Sequence, residues 1–210
     1  MATASNRTPI HENALILSTK TDPVRKLIYG INMSLDGCCD HTRFGGGDGG
    51  DAIHDYFRQL LEGADLLIYG RKTYELMVPF WPEIAQNQSM DEAANTFARV
   101  FANLKRVLVS KTIDSVDDEQ TTIIRDNLRE EVIRLKQQPG KAISTGGVEL
   151  PAQLIEWGLI DEFHIVVHPV IVGQGRRLFA DMHLLENLDL RLVGSQTLSG
   201  GCVALQYKKK

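Results

Sequence analysis

Three short stretches of the chain combine glycine, hydroxyl and cationic residues in a way that suits a phosphate: Thr145-Gly146-Gly147, Gly70-Arg71-Lys72-Thr73 and Ser110-Lys111-Thr112. In the first, an apolar run from Ala142 to Ser144 stops at a diglycine and gives way to a helical pattern with Pro151 near its first turn. Glycine has no Cβ to block a ligand, and the N–H groups that open a helix point outward with the positive end of the helix dipole behind them. A plain strand-to-helix corner would use the same residues, because glycine is the default of tight turns. In the second stretch two cations sit in the first turn of a helix, where the dipole disfavours them. A bound anion would offset that cost, and solvent exposure is the alternative.

Other candidates for chemistry are more scattered. Asp36 lies in the turn Ser34-Leu35-Asp36-Gly37, where an aspartate can equally cap its own backbone. Arg176 and Arg177 follow Gly173 and Gly175 in a loop, and Asp51 and Asp55 stand at the start of a helical pattern. His164 and His168 share one face of a strand, but no third ligand accompanies them, so they read as sheet histidines and no metal site is expected. Gly45 to Gly50 satisfies the G-x-G-x-x-G pattern and precedes a helix. The preceding strand ends near Met33, a dozen residues too early, and Gly70-Arg71 stands where an acidic residue would hold a ribose. This glycine run is better read as a mobile lid over a pocket.

These residues must be positioned by a regular framework. Lys26 to Met33 is rich in β-formers, and Ala64 to Tyr69 is apolar nearly throughout, as strands buried on both faces are. Val107 to Ser110, Thr121 to Arg125 and Ala142 to Ser144 give further strands. Between them lie helical patterns: Asp51 as N-cap with Ile53, Phe57, Leu60 and Leu61; Gly70 onward; Asp91 to Leu104; and Leu128, Val132 and Leu135. Val78 to Pro82 is expected to break its helix and leave two aromatics in a loop. Phe163 to Val172 forms a long β run in which Pro169 predicts an edge or a bulge. Leu188 to Val193 and Val203 to Tyr207 alternate around Ser199-Gly200-Gly201, which predicts an antiparallel hairpin. The expectation is an α/β fold with a mostly parallel central sheet flanked by helices and finished by antiparallel C-terminal strands. Residues 1–24 read as a polar arm and 25–210 as a single domain.

With 210 residues, 43% of them hydrophobic, the chain can bury a large core. A net charge of -4 and scattered cations argue against a nucleic-acid partner. No apolar run approaches the length of a membrane span. Three cysteines, two of them adjacent at Cys38 and Cys39, make no disulfide framework, which suits a cytoplasmic setting.

In order and at about their intervals, INMSLDG, ADLLIYGRKTYE, KRVLVSKT, STGGVEL and GLIDEFHIVVHPVIVGQGRRLF resemble the dihydrofolate reductase-like superfamily. The match is nearest to the branch holding the reductase domain of the bifunctional riboflavin-biosynthesis enzyme. The resemblance spans Arg25 to Lys208 and implies a site for NADPH. It assigns the 2′-phosphate to Gly70, Arg71, Lys72 and Thr73 with Ser110 and Lys111, and the pyrophosphate to Gly146, Gly147 and Val148. The nicotinamide would lie near Ile31, Asn32 and the Ser34–Gly37 turn, with Asp36 as a candidate catalytic group. Cations at helix starts independently favour a dianionic phosphate, hence NADPH over NADH. Where dihydrofolate reductases carry an acid in the first helix, this chain has Ile53, with Asp51 and Asp55 nearby on other faces. The riboflavin-pathway enzyme binds a ribose phosphate, for which Arg176 and Arg177 are candidate contacts. The reading implied is an NADPH-dependent reductase of a small heterocycle, pyrimidine- or pterin-like. Its alternatives are a true dihydrofolate reductase and a ligand-binding protein without turnover. A homodimer is expected, with the Phe163–Val172 run as its surface.

Overall fold

The computed structural model describes residues 24–44, 50–180 and 182–210. The arm and Gly45–Gly49 of the expected lid lie outside the described residues. Among the described residues eight strands form one sheet: β1 (Leu27–Ser34), β2 (Ala64–Gly70), β3 (Lys105–Val109), β4 (Thr121–Ile124), β5 (Ala142–Thr145), β6 (Glu162–His168), β7 (Leu190–Thr197) and β8 (Val203–Lys209). Five α-helices of the described residues connect them: α1 (Gly50–Glu62), α2 (Arg71–Asn87), α3 (Glu92–Ala102), α4 (Leu128–Gln137) and α5 (Glu149–Glu156). The strand order is β4-β3-β2-β5-β1-β6-β8-β7. Pairing is parallel from β4 to β6, and only β8 runs antiparallel to its neighbours β6 and β7.

The apolar run of β2 shows why the sheet is covered on both sides. Successive side chains point to opposite faces: Leu66 and Ile68 join the cluster under α4 and α5, with Val132, Leu135 and Leu154. Leu67 and Tyr69 join the other, with Tyr74, Val78, Phe97 and Phe101 of α2 and α3. The chain leaves β1 through α1 towards β2, but leaves β5 through α5 towards β6, on the other side of β1. Right-handed crossovers in opposite directions place α1 and α5 on opposite faces. A crevice therefore opens where β5 and β1 end side by side, the place where ligands bind in open sheets of this kind.

Three expectations are corrected. VPFWP does not break its helix: α2 continues to Asn87 with Pro79 and Pro82 inside it. Each proline removes a backbone bond at a cost of roughly 3 kcal/mol. Packing outweighs this locally, because Val78 and Ile84 are buried on the same helix and Trp81 lies edge-on to Phe97 at 4.6 Å. Second, Pro169 marks neither an edge nor a bulge. β6 lies between β1 and β8 and stops at His168, so the proline simply follows the last ladder residue. The Phe163–Val172 run thus offers no free edge to a partner, and Phe163 to Val166 are buried. Third, Asp51 is not the N-cap of α1 but stands inside its first turn.

Phe101 is fully buried between α3 and the sheet, stacked near Tyr69 at 6.5 Å and Phe97 at 6.1 Å. Phe101→Ala should cost about 3–5 kcal/mol of unfolding free energy, read as a lower urea midpoint at unchanged slope.

Candidate functional site

Parallel strands share a direction, so the turns after β3, β2, β5 and β1 all leave the same border of the sheet in that order. The register fixes their neighbours: Gly70 pairs with Val109, Ile68 with Thr145, and Tyr29 with Thr145. The three stretches Ser110-Lys111, Gly70–Thr73 and Gly146–Val148 are thereby set in one row. The two central turns touch. Gly147 has φ +83, and a Cβ on it would lie 2.1 Å from Thr73 Oγ1. No side chain fits there, and the Tyr29 hydroxyl donates to the Gly147 carbonyl at 2.7 Å to hold the turn in place. Thr145 Oγ1 donates to the Ile68 carbonyl at 2.7 Å and ties the two strand ends together.

The polar groups in the row are differently committed. The caps of α2 and α5, Gly70 and Val148, use no side chain to satisfy the first N–H groups. Ser110 is buried, and its Oγ accepts from the N–H groups of Thr112 and Ile113 at 3.2 and 3.1 Å, so this hydroxyl orders its own turn. Arg71 pairs with Glu75 at 3.1 Å and Lys72 with Glu149 at 2.9 Å. Both pairs are exposed and of the kind worth about 0–1 kcal/mol, which a phosphate can displace. Lys111 is exposed.

Beside this row, on the α1–α2 face, lies a cavity of about 530 Å³. Gly30, Ile31 and Asn32 of β1, Thr73, and Ser144 to Val148 form its polar side. Its far wall is aromatic and aliphatic: Phe57, Met77, Phe80, Trp81 and Phe97, with Ile53 and His54 from α1. Gly30 makes the close fit possible, since a Cβ there would meet Phe57 and Leu60 at 3.2 Å. Larger clefts of about 790 and 1050 Å³ open around Arg106 and along the β3–β4 border. They gather the ion pairs Arg106–Asp118 and Arg25–Asp65, whose arginines are buried, apart from the row of turns.

Several expected site residues stand elsewhere. Asp36 is a structural clamp: Ser34 Oγ donates to its carboxylate at 2.6 Å, and the N–H groups of Val172 and Gly173 donate at 3.1 and 2.9 Å. Arg177 pairs with the same carboxylate at 3.1 Å and also donates to the Asp36 carbonyl. The Ser34 hydroxyl first, then the two backbone donors, hold the Asp36 carboxyl far below the usual range, which removes it as a proton donor at neutral pH. Arg176 is bound at 3.1 Å by Glu149, the same carboxylate that takes Lys72. Neither arginine lines the cavity, and neither do Asp51 and Asp55, which are exposed; Asp55 pairs with Arg58 at 3.2 Å. His164 takes a hydrogen bond with Tyr56 at 2.9 Å, and His168 Nε2 lies 3.2 Å from Asn32 Oδ1. Both are thus engaged within the sheet.

His54, Phe80 and Trp81 had no place in the sequence reading of the site. His54 shares a helix face with Phe57 and Leu61 at i, i+3 and i+7, a signal present in the pattern. The two aromatics were hidden by the proline rule.

Comparison with known proteins accounts for this arrangement. The family model of the RibD C-terminal domain matches residues 25–204. The chain belongs to that family. The uncharacterized protein YyaP of Bacillus subtilis (strain 168) is 33% identical over 187 residues, covering 87% of this chain and 94% of that protein. Among solved structures, a pyrimidine reductase-like protein from Corynebacterium diphtheriae NCTC is similar with a TM-score of 0.61 and 18% identity, covering 95% of this chain and 96% of that one. The dihydrofolate reductase of Enterococcus faecalis, solved with NADP(H), is similar with a TM-score of 0.54 and 12% identity, covering 88% and 96%. The fold of this RibD C-terminal domain protein is therefore dihydrofolate reductase-like, as the sequence implied.

Two measurements test the geometry. Gly147→Ala imposes both a strained φ and the clash with Thr73, and should lower stability by roughly 1–3 kcal/mol. Thr73→Ala in the same chain should restore only the part due to the clash, so a double-mutant cycle in urea reads the two apart. Because the folded-state pKa of Asp36 is depressed, its contribution to stability is full above the unfolded value of about 3.9 and is lost as pH falls through the folded one. Between neutral pH and acid, Asp36→Asn should therefore lose less stability than the parent chain, by urea melts across pH.

Proposed function

We propose that this protein is an NADPH-dependent reductase of a small heterocyclic substrate of the riboflavin-pathway type. The observation that carries this reading is the row of strand-end turns, with bare backbone at Gly147 packed against Thr73. Such a cradle suits a pyrophosphate, which needs close approach to N–H groups and no intervening side chain. The Enterococcus faecalis reductase with a similar fold was solved with NADP(H), which supports the same cofactor. In this reading Gly146, Gly147 and Val148 hold the pyrophosphate, while Arg71, Lys72, Thr73 and Lys111 hold the 2′-phosphate. Ser110 shapes the last of these turns. Bound NADPH supplies a hydride. The protein's part would be positioning: Ile31 and Asn32 line the cavity and would flank the ring, and His168 holds the Asn32 amide.

A ligand-binding protein without turnover is the second reading. It is favoured by one observation, that the described residues lining the cavity include no Asp or Glu to relay a proton. The same observation counts against a true dihydrofolate reductase. Turnover against dihydrofolate and riboflavin-pathway pyrimidines decides among the three. A homodimer belongs to the proposal, with Leu192 and Val193 exposed on the outermost strand, β7, as its motive. Sedimentation at equilibrium tests it.

The cofactor assignment is tested by titration with NADPH and NADH, followed by energy transfer from tryptophan. Arg71→Ala and Lys111→Ala should each weaken NADPH about tenfold or more, the loss expected of one charge-assisted hydrogen bond, and leave NADH unchanged. Equal loss for both cofactors, or none for NADPH, overturns the 2′-phosphate contact.

A further inference from the structure

The cavity walls carry more specificity than the family assignment does. Among the described residues that line it there is no Lys, Arg, Asp or Glu. The arginines considered for a phosphate are held elsewhere, Arg176 by Glu149 and Arg177 by Asp36. A phosphate placed against Phe57, Phe80, Trp81 and Phe97 would lose its hydration with no charge to replace it. Apolar aromatic walls whose rings meet edge to face instead take an uncharged ring, which can pack against both faces and edges.

One polar side chain stands within the aromatic wall. The His54 imidazole lies 5.5 Å from the Trp81 ring at 77° and 6.1 Å from the Phe97 ring. Its Nδ1 is buried and has no hydrogen-bond partner among the described residues. Nε2 makes no hydrogen bond with the described residues and is not among the buried unpartnered atoms, so it is the nitrogen with access to a ligand. Burial depresses the pKa of the ring, which is therefore neutral at neutral pH and carries a single proton. With Nδ1 enclosed, a proton on Nε2 is the one that can be donated to a ligand.

We propose that the cavity takes an uncharged planar heterocycle lacking a phosphate, and that His54 anchors it by donating a hydrogen bond from Nε2 to a carbonyl oxygen or imine nitrogen on the ring edge. This deepens the reductase reading and rests on it only in leaving the Gly146–Val148 end of the cavity to the cofactor. His54 thus selects a ring edge that accepts a hydrogen bond, and the walls select against charge.

The test is calorimetric binding to the full chain without cofactor, using 5-amino-6-(ribosylamino)uracil and its 5′-phosphate as a matched pair. The unphosphorylated ring should bind, and the phosphate should not tighten it beyond about threefold. His54→Phe fills the same space without a donor and should weaken the unphosphorylated ring about tenfold, or 1.4 kcal/mol. His54→Gln retains a donor and should keep most of the affinity. Thermal melting verifies that both variants fold, and a variant that does not fold leaves the matched-pair comparison to decide. A phosphorylated ring bound tenfold tighter, no binding of either ring at millimolar concentration, or full affinity in folded His54→Phe overturns the proposal. Ring binding that persists when NADPH fails to bind would overturn the cofactor reading alone.

Discussion

The approach of Gly147 to Thr73 is the constraint on which the candidate site depends. Two turns from neighbouring parallel strands come so close that the space of a single methyl group is already filled by the threonine hydroxyl. That proximity follows from the sheet. β5 pairs with β2 on one side and with β1 on the other, so its terminal turn cannot move without breaking one ladder or the other. Tyr29, from β1, reaches across to the Gly147 carbonyl and ties the third strand into the same arrangement. The cradle is rigid because three elements determine it, and rigidity is what backbone donors need in order to bind an anion without first being ordered.

Much of this could be read from the residues. An apolar run such as ADLLIY announces burial on both faces, and the alternation of strands with helical patterns announces parallel order; both follow from periodicity. Glycine beside a helix start announces a backbone site only when several such turns meet, and it is the topology that brings them together. What the pattern could not supply was the commitment of each polar group. Asp36, Arg176 and Arg177 have the chemistry of site residues, yet each is consumed by a partner far away in the chain: Asp36 by the Val172–Gly173 backbone and Arg177, Arg176 by Glu149. Such long-range pairs leave no trace in local spacing.

The aromatic wall was concealed for a different reason. A local rule, that proline ends helices, was applied to VPFWP and lost to tertiary packing. Burying side chains such as Val78 and Ile84, each worth about 1.5–3 kcal/mol, offsets much of the cost of two missing backbone bonds. The outcome matters for function, because the helical path presents Phe80 and Trp81 to the cavity beside Met77.

The charges around the row of turns show how a binding site can be kept ready without being closed. Glu149 sits in the first turn of α5, where the dipole favours a carboxylate, and it gathers Lys72 and Arg176 from two other segments. The hydrogen bond from Lys72, then the charges of the two cations, hold this carboxyl below its ordinary pKa. Lys72 and Glu149 lie mostly in water and Arg176 partly so, which makes the cluster weak and screened by salt. A phosphate carries more charge and more acceptor oxygens than one carboxylate, and it can take Lys72 from Glu149 at little cost. Glu149 then keeps Arg176 as its partner, so that arginine stays held outside the cavity lining. On the proposed reading, a phosphate at this turn would leave Glu149 to the loop after β6 alone, because the pair with Lys72 is too weak to resist the exchange.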